Sequence, residues 1–386
     1  MSMFKRMVAL LLALLFLCSC QTPTVSPDES PSGTTTTTRP NTQGVDLTDN
    51  TFFVRPDTVR FIGRHHLDVR SVTYGFYNVA AGFVFDCEST SLELYMSASM
   101  YSEHQYNYVA VYIDDREPIA VCVDRAAWYT VATDLEPGVR HTVRVVKRSM
   151  SNAGAVYIGK VRLSDDSRAW PNTDVRPYRI QVLGDSISCG YGSLWDGSET
   201  EEITVWQGGD KTFAVRLANR LNAELEVVAI GGIGVGNVEN APYPLLPNYK
   251  QEDMYNGVDC DFSLYVPDVI VIELGANDYG SRNPPEVFRN NAMTLIDFIR
   301  EQYPDTTIVW VYGMMGGVTY GNNIKQLVEY YRQNGDAKIH YMPFALDANE
   351  PWGQHGHPGQ QTHDRLGDEL AATISEIMDW PLLPAE

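Results

Sequence analysis

The sequence predicts an all-β jelly-roll sandwich followed by an α/β/α three-layer domain with a five-stranded parallel sheet. The first observation is that short runs with a period of two fill residues 46–166. The second is that β-branched runs alternate with helical patterns from residue 178 onwards. The third is that glycine-rich or polar loops follow several of these later strands. Such loops lie at the edge where α/β sheets bind their ligands.

The first region contains six strand-like runs separated by turn residues. They read GFVFDCE, SLELYMSAS, NYVAVYIDD, PIAVCVD, WYTVATDL and HTVRVVKRS, with turns at 115–118 and 136–138. Residues 45–168 are therefore predicted to form the sandwich, and residues 168–177 to form a linker. A sandwich of this kind can be a carbohydrate-binding module or a packing partner for the next domain, and packing is the more common role.

Residues 177–386 are predicted to form the second domain. Its strands read RIQVL, LEVVAI, DVIVIEL, TTIVWVYG and KIHYMP, and helical patterns separate or follow them. In the helix DKTFAVRLANRLN, Phe213, Leu217 and Leu221 form one apolar stripe. Strands that alternate with helices predict a parallel sheet covered on both faces.

The N-terminal residues are typical of a secretory signal. Lys5 and Arg6 precede an apolar run up to Leu17, which predicts a signal peptide over residues 1–19. The Leu-Cys-Ser-Cys sequence that ends at Cys20 resembles a bacterial lipobox, which implies cleavage before Cys20 and its acylation. Plain secretion is the alternative. Residues 20–44, rich in Pro, Ser and Thr, are predicted to be a disordered tether. We therefore expect an exported bacterial lipoprotein in the periplasm or on the cell surface, held at the outer membrane.

The composition restricts the class of partner. The formal net charge is −20, from 29 basic and 49 acidic residues. The sequence has no basic stripe that would neutralise phosphates, so no nucleic-acid partner is expected. Beyond the signal region, Cys87, Cys122, Cys189 and Cys260 occur without CxxC spacing. They predict no zinc site and leave a disulfide open.

Four stretches carry candidate catalytic residues. Ser186 follows the strand RIQVL, Gly232 lies in a glycine loop after LEVVAI, Asn277 follows DVIVIEL, and His357 precedes the last helix. A serine nucleophile needs a base and a set of hydrogen-bond donors for the oxyanion, which these residue types can supply. Asp185 is expected to hydrogen-bond the turn. Each stretch alone fits an ordinary loop, whereas the four together at one sheet edge indicate a hydrolase site.

Cofactor and metal sites fit these stretches poorly. The loop GGIGVG lacks the spacing of a GxGxxG dinucleotide fingerprint, and it follows the second strand of the domain. His355, His357 and His363 are close in sequence but have no carboxylate at a ligand position. His363 is expected to be a surface or packing residue. We therefore expect no metal and no organic cofactor.

In this order the four stretches resemble the SGNH hydrolases, also called the GDSL family. GDS at 184–186 matches the first block of that family, GGIG at 231–234 the second, GAND at 275–278 the third, and HP at 357–358 the last. The resemblance covers residues 178–380. The runs GDSISCGYG and KTFAVRLANRL and the preceding β region are similar to the second family of carbohydrate esterases. Members of that family pair a jelly roll with an SGNH domain and remove acetyl groups from plant polysaccharides.

The resemblance implies a role for each candidate. Ser186 would be the nucleophile and His357 the base. The oxyanion hole would consist of the backbone N–H groups of Ser186 and Gly232 and the side chain of Asn277. Gly231 stands where the second block of the family has serine, so the assignment of Gly232 is the less direct one. The implied enzyme is a carbohydrate O-acetyl esterase acting on acetylated xylan, mannan or their oligosaccharides, attached to a membrane by its lipid anchor.

The acidic member of a catalytic triad is missing from its usual place. The family has Asp three or, in some esterases, two residues before the histidine, where this sequence has Gln354 and His355. A Ser-His dyad is therefore expected, with the His357 ring oriented by a backbone carbonyl or by the Gln354 side chain. Asp347 and Glu350 are the alternative partners.

Three tryptophans near the candidate residues could stack on sugar rings. Trp195, Trp206 and Trp352 are these candidates, although packing is the more common role of tryptophan. Two other functions stay open. One is a general short-chain acyl or aryl esterase. The other is a surface glycan-binding lipoprotein with a weak catalytic site, an alternative that stays open because the Asp of the triad is missing.

Overall fold

A computed structural model describes residues 44–99, 105–198, 203–236, 244–252, 257–315 and 318–385. The predicted signal peptide, the acylation site Cys20 and the tether up to residue 43 lie outside the described residues. Within the described ranges, no helix is long and apolar enough to cross a membrane.

The first region is a β-sandwich of two antiparallel sheets, as the sequence predicted. The strands are β1 (Thr51–Phe53), β2 (Arg60–Ile62), β3 (His66–Asp68), β4 (Thr73–Phe76), β5 (Gly82–Glu88), β6 (Leu92–Ala98), β7 (Asn107–Ile113), β8 (Ile119–Val123), β9 (Ala127–Ala132), β10 (Arg140–Lys147), β11 (Val156–Leu163) and β12 (Arg168–Pro171). One sheet has the order β3-β4-β11-β6-β9, with β1 also paired to β11. The other sheet has the order β12-β5-β10-β7-β8, with β2 paired to β5.

The period of two in the sequence is the burial pattern of these strands. In β6, Leu92, Leu94 and Met96 are fully buried, while Glu93 and Tyr95 are only partly buried. Successive side chains of a strand point to opposite faces, so one face of each sheet supplies the core between them. The apolar core of the sandwich is therefore built by alternation rather than by continuous apolar runs.

The six predicted runs correspond to β5–β10, and two features differ from the prediction. The short strands β1–β4 and the long strand β11 were not predicted. The stretch 168–177, predicted as a linker, begins with β12, which pairs antiparallel with β5. The sandwich therefore extends to Pro171, because hydrogen bonding along β5 continues past the expected boundary.

The second domain is a five-stranded parallel sheet covered by helices on both faces, which confirms the predicted fold class. The sheet order is β14-β13-β15-β16-β17. Its strands are β13 (Tyr178–Gly184), β14 (Ala223–Ala229), β15 (Val269–Glu273), β16 (Thr307–Tyr312) and β17 (Ile339–Pro343). Its helices are α1 (Phe213–Arg220), α2 (Leu245–Tyr249), α3 (Ala276–Gly280), α4 (Pro285–Gln302), α5 (Val318–Gln333) and α6 (Gln360–Met378).

Each face of this sheet has its own core. Val309 and Val311 of β16 belong to the core that also contains residues of α1 and α6. Ile308 and Trp310 of the same strand belong to the core that contains residues of α4 and α5. The sheet order reverses at β13, where the chain crosses first to β14 and then back past β13 to β15. Ligand sites of open α/β sheets form at the carboxyl ends of the strands at such a reversal.

Buried ion pairs join the sandwich to the parallel-sheet domain. Arg148, just after β10, donates two hydrogen bonds to Asp210 at 2.7 and 2.9 Å, and the Asp210 side chain is fully buried. Tyr112 of the sandwich also donates to Asp210, at 2.7 Å. A second buried pair joins Arg64 to Glu226 at 3.1 Å. In both pairs the sandwich supplies the cation and the parallel-sheet domain supplies the carboxylate.

Removal of Asp210 should destabilise the protein strongly. Asp210→Ala leaves the Arg148 guanidinium buried without its anion, an arrangement that costs about 3–5 kcal/mol when one partner of a buried pair is removed. The free energy of unfolding from chemical denaturation measures the effect. Asp305→Ala is the matched control, because its pair with Lys338 is exposed and should leave the unfolding midpoint unchanged. Equal midpoints for Asp210→Ala and the wild type would contradict a stabilising interface.

Candidate active site

Ser186 lies directly after β13, at the carboxyl edge of the parallel sheet. Its Oγ is 2.8 Å from Nε2 of His357, and the residue is 9% exposed. The sequence places glycine before it for a steric reason: a Cβ at Gly184 would be 1.9 Å from Oγ of Ser188. Asp185 accepts a hydrogen bond from the N–H of Ile187 at 2.9 Å, as expected for a residue that stabilises the turn.

The loop that carries His357 is hydrogen-bonded to the turn that follows Ser186. The N–H of Gln354 donates to the carbonyl of Gly192 at 3.0 Å, and a Cβ at Gly192 would be 2.5 Å from Cβ of Gln354. Gly192 also has a left-handed backbone, with φ of 60°. Glycine at this position therefore allows the two loops to approach closely enough for the serine and the histidine to meet.

In the described part of the chain, no carboxylate hydrogen-bonds the His357 ring. Burial lowers the pKa of His357, while the nearby carbonyls of Gln354 and His355 oppose part of that shift. Among the described residues, Nδ1 forms no hydrogen bond of normal geometry. The Tyr191 ring packs against the imidazole with the ring centroids 4.6 Å apart. Burial therefore favours the neutral form of the imidazole beside Ser186.

The two carboxylates considered as alternative partners are engaged elsewhere. Glu350 accepts hydrogen bonds from Arg365 at 2.6 and 3.0 Å and from Thr362 at 2.8 Å. Asp347 accepts from the backbone and side chain of Asn349, both at 2.9 Å. Neither carboxylate hydrogen-bonds His357 in this structure.

Asn277 and Gly232 lie on the loops that flank Ser186. The Asn277 amide donates to Oδ2 of Asp185 and to the carbonyl of Ile233, both at 2.9 Å. It therefore connects the loops after β13 and β14, and its two hydrogens already have acceptors. Gly232 has a left-handed backbone with φ of 82°. The N–H groups of Ser186 and Gly232 have no acceptor among the described residues, which leaves both free to donate to a ligand.

A pair of buried acids lies behind the turn. Burial raises the pKa of both Asp185 and Glu273. The charge of Asp185 raises the pKa of Glu273 further, whereas a hydrogen bond with Glu273 opposes part of the shift of Asp185. Oε2 of Glu273 accepts a hydrogen bond from Ser188 at 3.0 Å. Two carboxyl groups this close and this buried favour a state in which one of them keeps its proton. The Asp185 oxygen that accepts from Asn277 thus belongs to a rigid, hydrogen-bonded pair rather than to a solvated carboxylate.

A cavity of about 450 Å³ opens beside Ser186 and His357. Its wall is formed by Met150, Asn152, Ser186, Tyr191, Gly231, Gly232, Ala276, Asn277, Tyr279, Gly280, Met315 and His357. The four predicted catalytic residues, Ser186, Gly232, Asn277 and His357, therefore line one cavity. Met150 and Asn152 come from the sandwich, so the cavity is not built by one domain alone.

The wall of the cavity differs from the sequence expectation in its aromatic residues. Trp195, Trp206 and Trp352 are absent from the described wall, where Tyr191 and Tyr279 supply the aromatic rings. Trp195 and Trp352 are 37% and 47% exposed. Aromatic residues in loops have no periodicity that would indicate their direction, which is why the sequence did not distinguish these candidates.

Two further histidines near the site, His355 and His363, have contacts of their own. His363 is buried against Phe213, and burial lowers the pKa of His363 to about 4, in line with a packing residue. His355 Nδ1 is 2.8 Å from the Tyr191 hydroxyl. In the described ranges, no three His, Cys, Asp or Glu side chains converge as metal ligands. The four cysteines of the described ranges are free thiols.

Comparison with known families agrees with this division of the chain. Residues 182–372 match the GDSL-like lipase/acylhydrolase family. Residues 61–172 match the carbohydrate esterase 2 N-terminal family.

Two curated relatives are similar to this chain. It is 30% identical over 259 residues to the cellulase/esterase CelE of Acetivibrio thermocellus, which covers 65% of this chain and 31% of CelE. The chain thus spans about a third of the length of that relative. It is 23% identical over 349 residues to an acetylxylan esterase / glucomannan deacetylase of Cellvibrio japonicus, covering 88% of this chain and 94% of the relative.

Solved structures of family two carbohydrate esterases have the same fold. The enzyme from Clostridium thermocellum in complex with cellohexaose superimposes with a TM-score of 0.76 at 24% identity, covering 83% of this chain and 99% of that one. The enzyme from Cellvibrio japonicus gives a TM-score of 0.76 at 22% identity, covering 86% and 98%. The chain therefore contains a GDSL-like lipase/acylhydrolase domain, preceded by the N-terminal domain of the second carbohydrate esterase family.

Proposed function

We propose that this protein is a carbohydrate O-acetyl esterase that removes acetyl groups from plant polysaccharides such as xylan or mannan. The observation that carries the proposal is the 2.8 Å contact between Ser186 Oγ and His357 Nε2 in the wall of an open cavity. A serine hydroxyl hydrogen-bonded to a neutral imidazole is the arrangement that nucleophilic acyl transfer needs.

In the proposed reaction, Ser186 attacks the acetyl carbonyl while His357 accepts the hydroxyl proton. The tetrahedral oxyanion accepts hydrogen bonds from the backbone N–H groups of Ser186 and Gly232. Asn277 becomes the third donor only if its amide leaves Asp185 or the carbonyl of Ile233, which accept both of its hydrogens in this structure. His357 then donates its proton to the leaving sugar oxygen, and an acetyl-enzyme forms. Water, activated by the same imidazole, releases acetate and restores Ser186.

The missing acid makes the orientation of His357 the special feature of this mechanism. In a triad, the acid fixes the tautomer and stabilises the imidazolium that forms. Here the carbonyls of Gln354 and His355 lie where they raise the pKa of the ring, against the effect of burial. We propose that these carbonyls take over the orienting role, with weaker stabilisation of the imidazolium than a carboxylate would supply.

The carbohydrate substrate is supported by the relatives and by the cavity. The relatives include an acetylxylan esterase / glucomannan deacetylase, and a related structure contains cellohexaose. The exposed Tyr279 ring and the half-buried Tyr191 ring offer flat apolar faces with polar edges, which suit sugar rings. The predicted acylation at Cys20 would hold such an enzyme at a membrane, near extracytoplasmic glycans.

A second candidate is a general short-chain acyl or aryl esterase. The side chains of Met150 and Met315 lie in the cavity wall, and thioether side chains adapt to apolar groups of different shape. Acetate release from acetylated xylan and acetylated glucomannan, compared with hydrolysis of a short-chain aryl ester, separates the two candidates. Preference for the aryl ester would contradict the carbohydrate proposal.

Loss of Ser186 or His357 should abolish turnover. We expect Ser186→Ala and His357→Ala each to lower kcat for 4-nitrophenyl acetate by roughly a thousandfold or more, because a nucleophile and its base act as one unit. Ser263→Ala, an exposed serine hydrogen-bonded to Asp261, is the control and should keep wild-type kcat. A wild type no faster than Ser186→Ala would contradict the esterase proposal.

The acid limb of the pH–rate profile should lie below the ordinary range of histidine. The base must be neutral to accept a proton, and burial lowers the pKa of His357, so the neutral form persists as the pH falls through about 6.5. We expect the acid limb of kcat/KM for an acetyl ester to have its midpoint below 6.5. An acid limb with its midpoint above 6.5 would argue against His357 as the base in this environment.

The tyrosines of the cavity, rather than the three tryptophans, should determine glycan affinity. We expect Tyr279→Ala to raise KM for acetylated oligosaccharides several-fold, because the aromatic face on which a sugar ring can stack is lost. Trp195→Ala and Trp352→Ala should leave KM unchanged, since neither ring lines the described cavity wall. Initial rates on acetylated xylo-oligosaccharides measure the difference. A larger effect in the tryptophan variants would favour a binding surface outside this cavity.

A further inference from the structure

The loop between β10 and β11 brings residues of the sandwich into the cavity of the hydrolase domain. Met150 and Asn152, both on this loop, line the cavity beside Ser186. Nothing in the local sequence RSMSNAG indicates a role in a hydrolase site. The role of the loop therefore depends on what its side chains contact across the domain boundary.

The loop is held by several hydrogen bonds on the N-terminal side of Asn152. Arg148 forms its two hydrogen bonds to buried Asp210. Nζ of Lys147, fully buried, donates to the carbonyls of Ser149 and Met150, the second at 2.9 Å. Across the boundary, Ser151 Oγ donates to the carbonyl of Ala229 at 2.8 Å. A loop with this many hydrogen bonds can hold a side chain in one place.

The Asn152 amide forms two hydrogen bonds to Gly231. Its Oδ1 accepts from the N–H of Gly231 at 2.8 Å, and its Nδ2 donates to the carbonyl of Gly231 at 3.1 Å. The carbonyl of Gly231 and the N–H of Gly232 belong to the same peptide unit. Because that unit is planar and trans, the two groups point in opposite directions. Fixing the carbonyl of Gly231 towards Asn152 therefore aims the N–H of Gly232 away from it.

Without such a bond, this peptide would be easy to rotate. Glycine populates left-handed and right-handed backbone regions about equally, so a Gly-Gly peptide resists a flip only weakly. Gly232 already has φ of 82°. A flip would turn the N–H of Gly232 away from the cavity and direct a carbonyl oxygen towards the position where the oxyanion forms. Asn152 opposes that flip with the bond to the Gly231 carbonyl.

Gly231 and Asn152 are also matched in volume. A Cβ at position 231 would lie 3.0 Å from Oδ1 of Asn152 and 3.0 Å from Sδ of Met150. The sandwich side chains thus occupy the space that a side chain at position 231 would need. In the SGNH pattern this position is serine, and here the neighbouring domain supplies the polar contact instead.

We propose that Asn152 of the sandwich is a positioning residue that orients the Gly231–Gly232 peptide, so that the N–H of Gly232 can donate to the oxyanion. The inference rests on the proposed esterase function. It assigns the sandwich a direct part in catalysis, beyond binding or packing. Asn152 acts through Gly232 rather than on the reacting atoms.

The test is a kinetic comparison of Asn152→Leu with the wild type. Leucine has nearly the same shape as asparagine and removes both hydrogen bonds. We expect kcat for 4-nitrophenyl acetate to fall about tenfold to a hundredfold with KM within twofold, because the bond at issue acts on the transition state. The Ki of methylboronic acid, which forms a tetrahedral anion on serine, should rise by a similar factor. A residue with a merely structural role would not couple these two readouts.

Ser151→Ala is the matched control in the same loop. It removes one hydrogen bond across the same boundary, to Ala229, without touching Gly231. We expect it to lower the unfolding midpoint slightly and to leave kcat and the Ki of methylboronic acid at wild-type values. An equal loss of kcat in Ser151→Ala would overturn the specific role of Asn152.

A second set of variants keeps the proposal testable if Asn152→Leu folds poorly. Gly231→Ala should lower kcat, because the added methyl group would crowd Asn152 and Met150. In the double variant Asn152→Ala/Gly231→Ala, the fold-reduction in kcat should be smaller than the product of the fold-reductions in the two single variants. Independent, multiplicative effects would overturn the proposal. If the wild type is active and Asn152→Leu keeps wild-type kcat and Ki, only this inference fails. If the wild type is no faster than Ser186→Ala, the esterase function fails and this inference with it.

Discussion

The hydrogen bond between Ser186 and His357 joins residues 171 positions apart in the sequence, and much of the parallel-sheet domain is needed to form it. Ser186 depends on β13, whose place at the reversal of the sheet order brings the loops after β14 and β15 to either side. His357 depends on the close approach of its loop to Gly192. The buried pair of Asp185 and Glu273 anchors the same turn from behind, through Asn277 and Ser188. The site is thus a meeting of loops, each fixed by a different part of the fold.

Both domains contribute residues to the cavity. The sandwich contributes cations to the boundary at Arg64 and Arg148, and the hydrolase domain contributes the carboxylates. At the same boundary, Asn152 accepts a hydrogen bond from the N–H of Gly231. Electrostatic complementarity therefore fixes the register in which the two domains meet. That register decides whether the amide of Asn152 reaches the peptide it holds.

Sequence patterns predicted the features that have a period or a fixed spacing. The alternation in β5–β10, the amphipathic helix α1 and the order of the four loops all survive in the structure. The three-residue strands β1–β3 were too short to show a period, and β12 was hidden in a Pro-rich stretch that reads as a linker. Asn152 could not be predicted, since its partner Gly231 is 79 positions away in another domain. Tyr191 lies five residues after Ser186, and Tyr279 lies two residues after Asn277. This closeness in sequence to the predicted catalytic residues is a signal for their place in the cavity wall.

The buried carboxylates of Asp210 and Glu226 restrict how the two domains can be separated or exchanged. A hydrolase domain excised at residue 178 would leave both acids without their guanidinium partners, and it would lose the part of the cavity wall that Met150 forms. The same domain fused behind a foreign β-module would meet a surface with no arginines at the matching places. In this chain the two domains therefore form one structural unit, and exchange of either one alone would leave these buried charges unpaired.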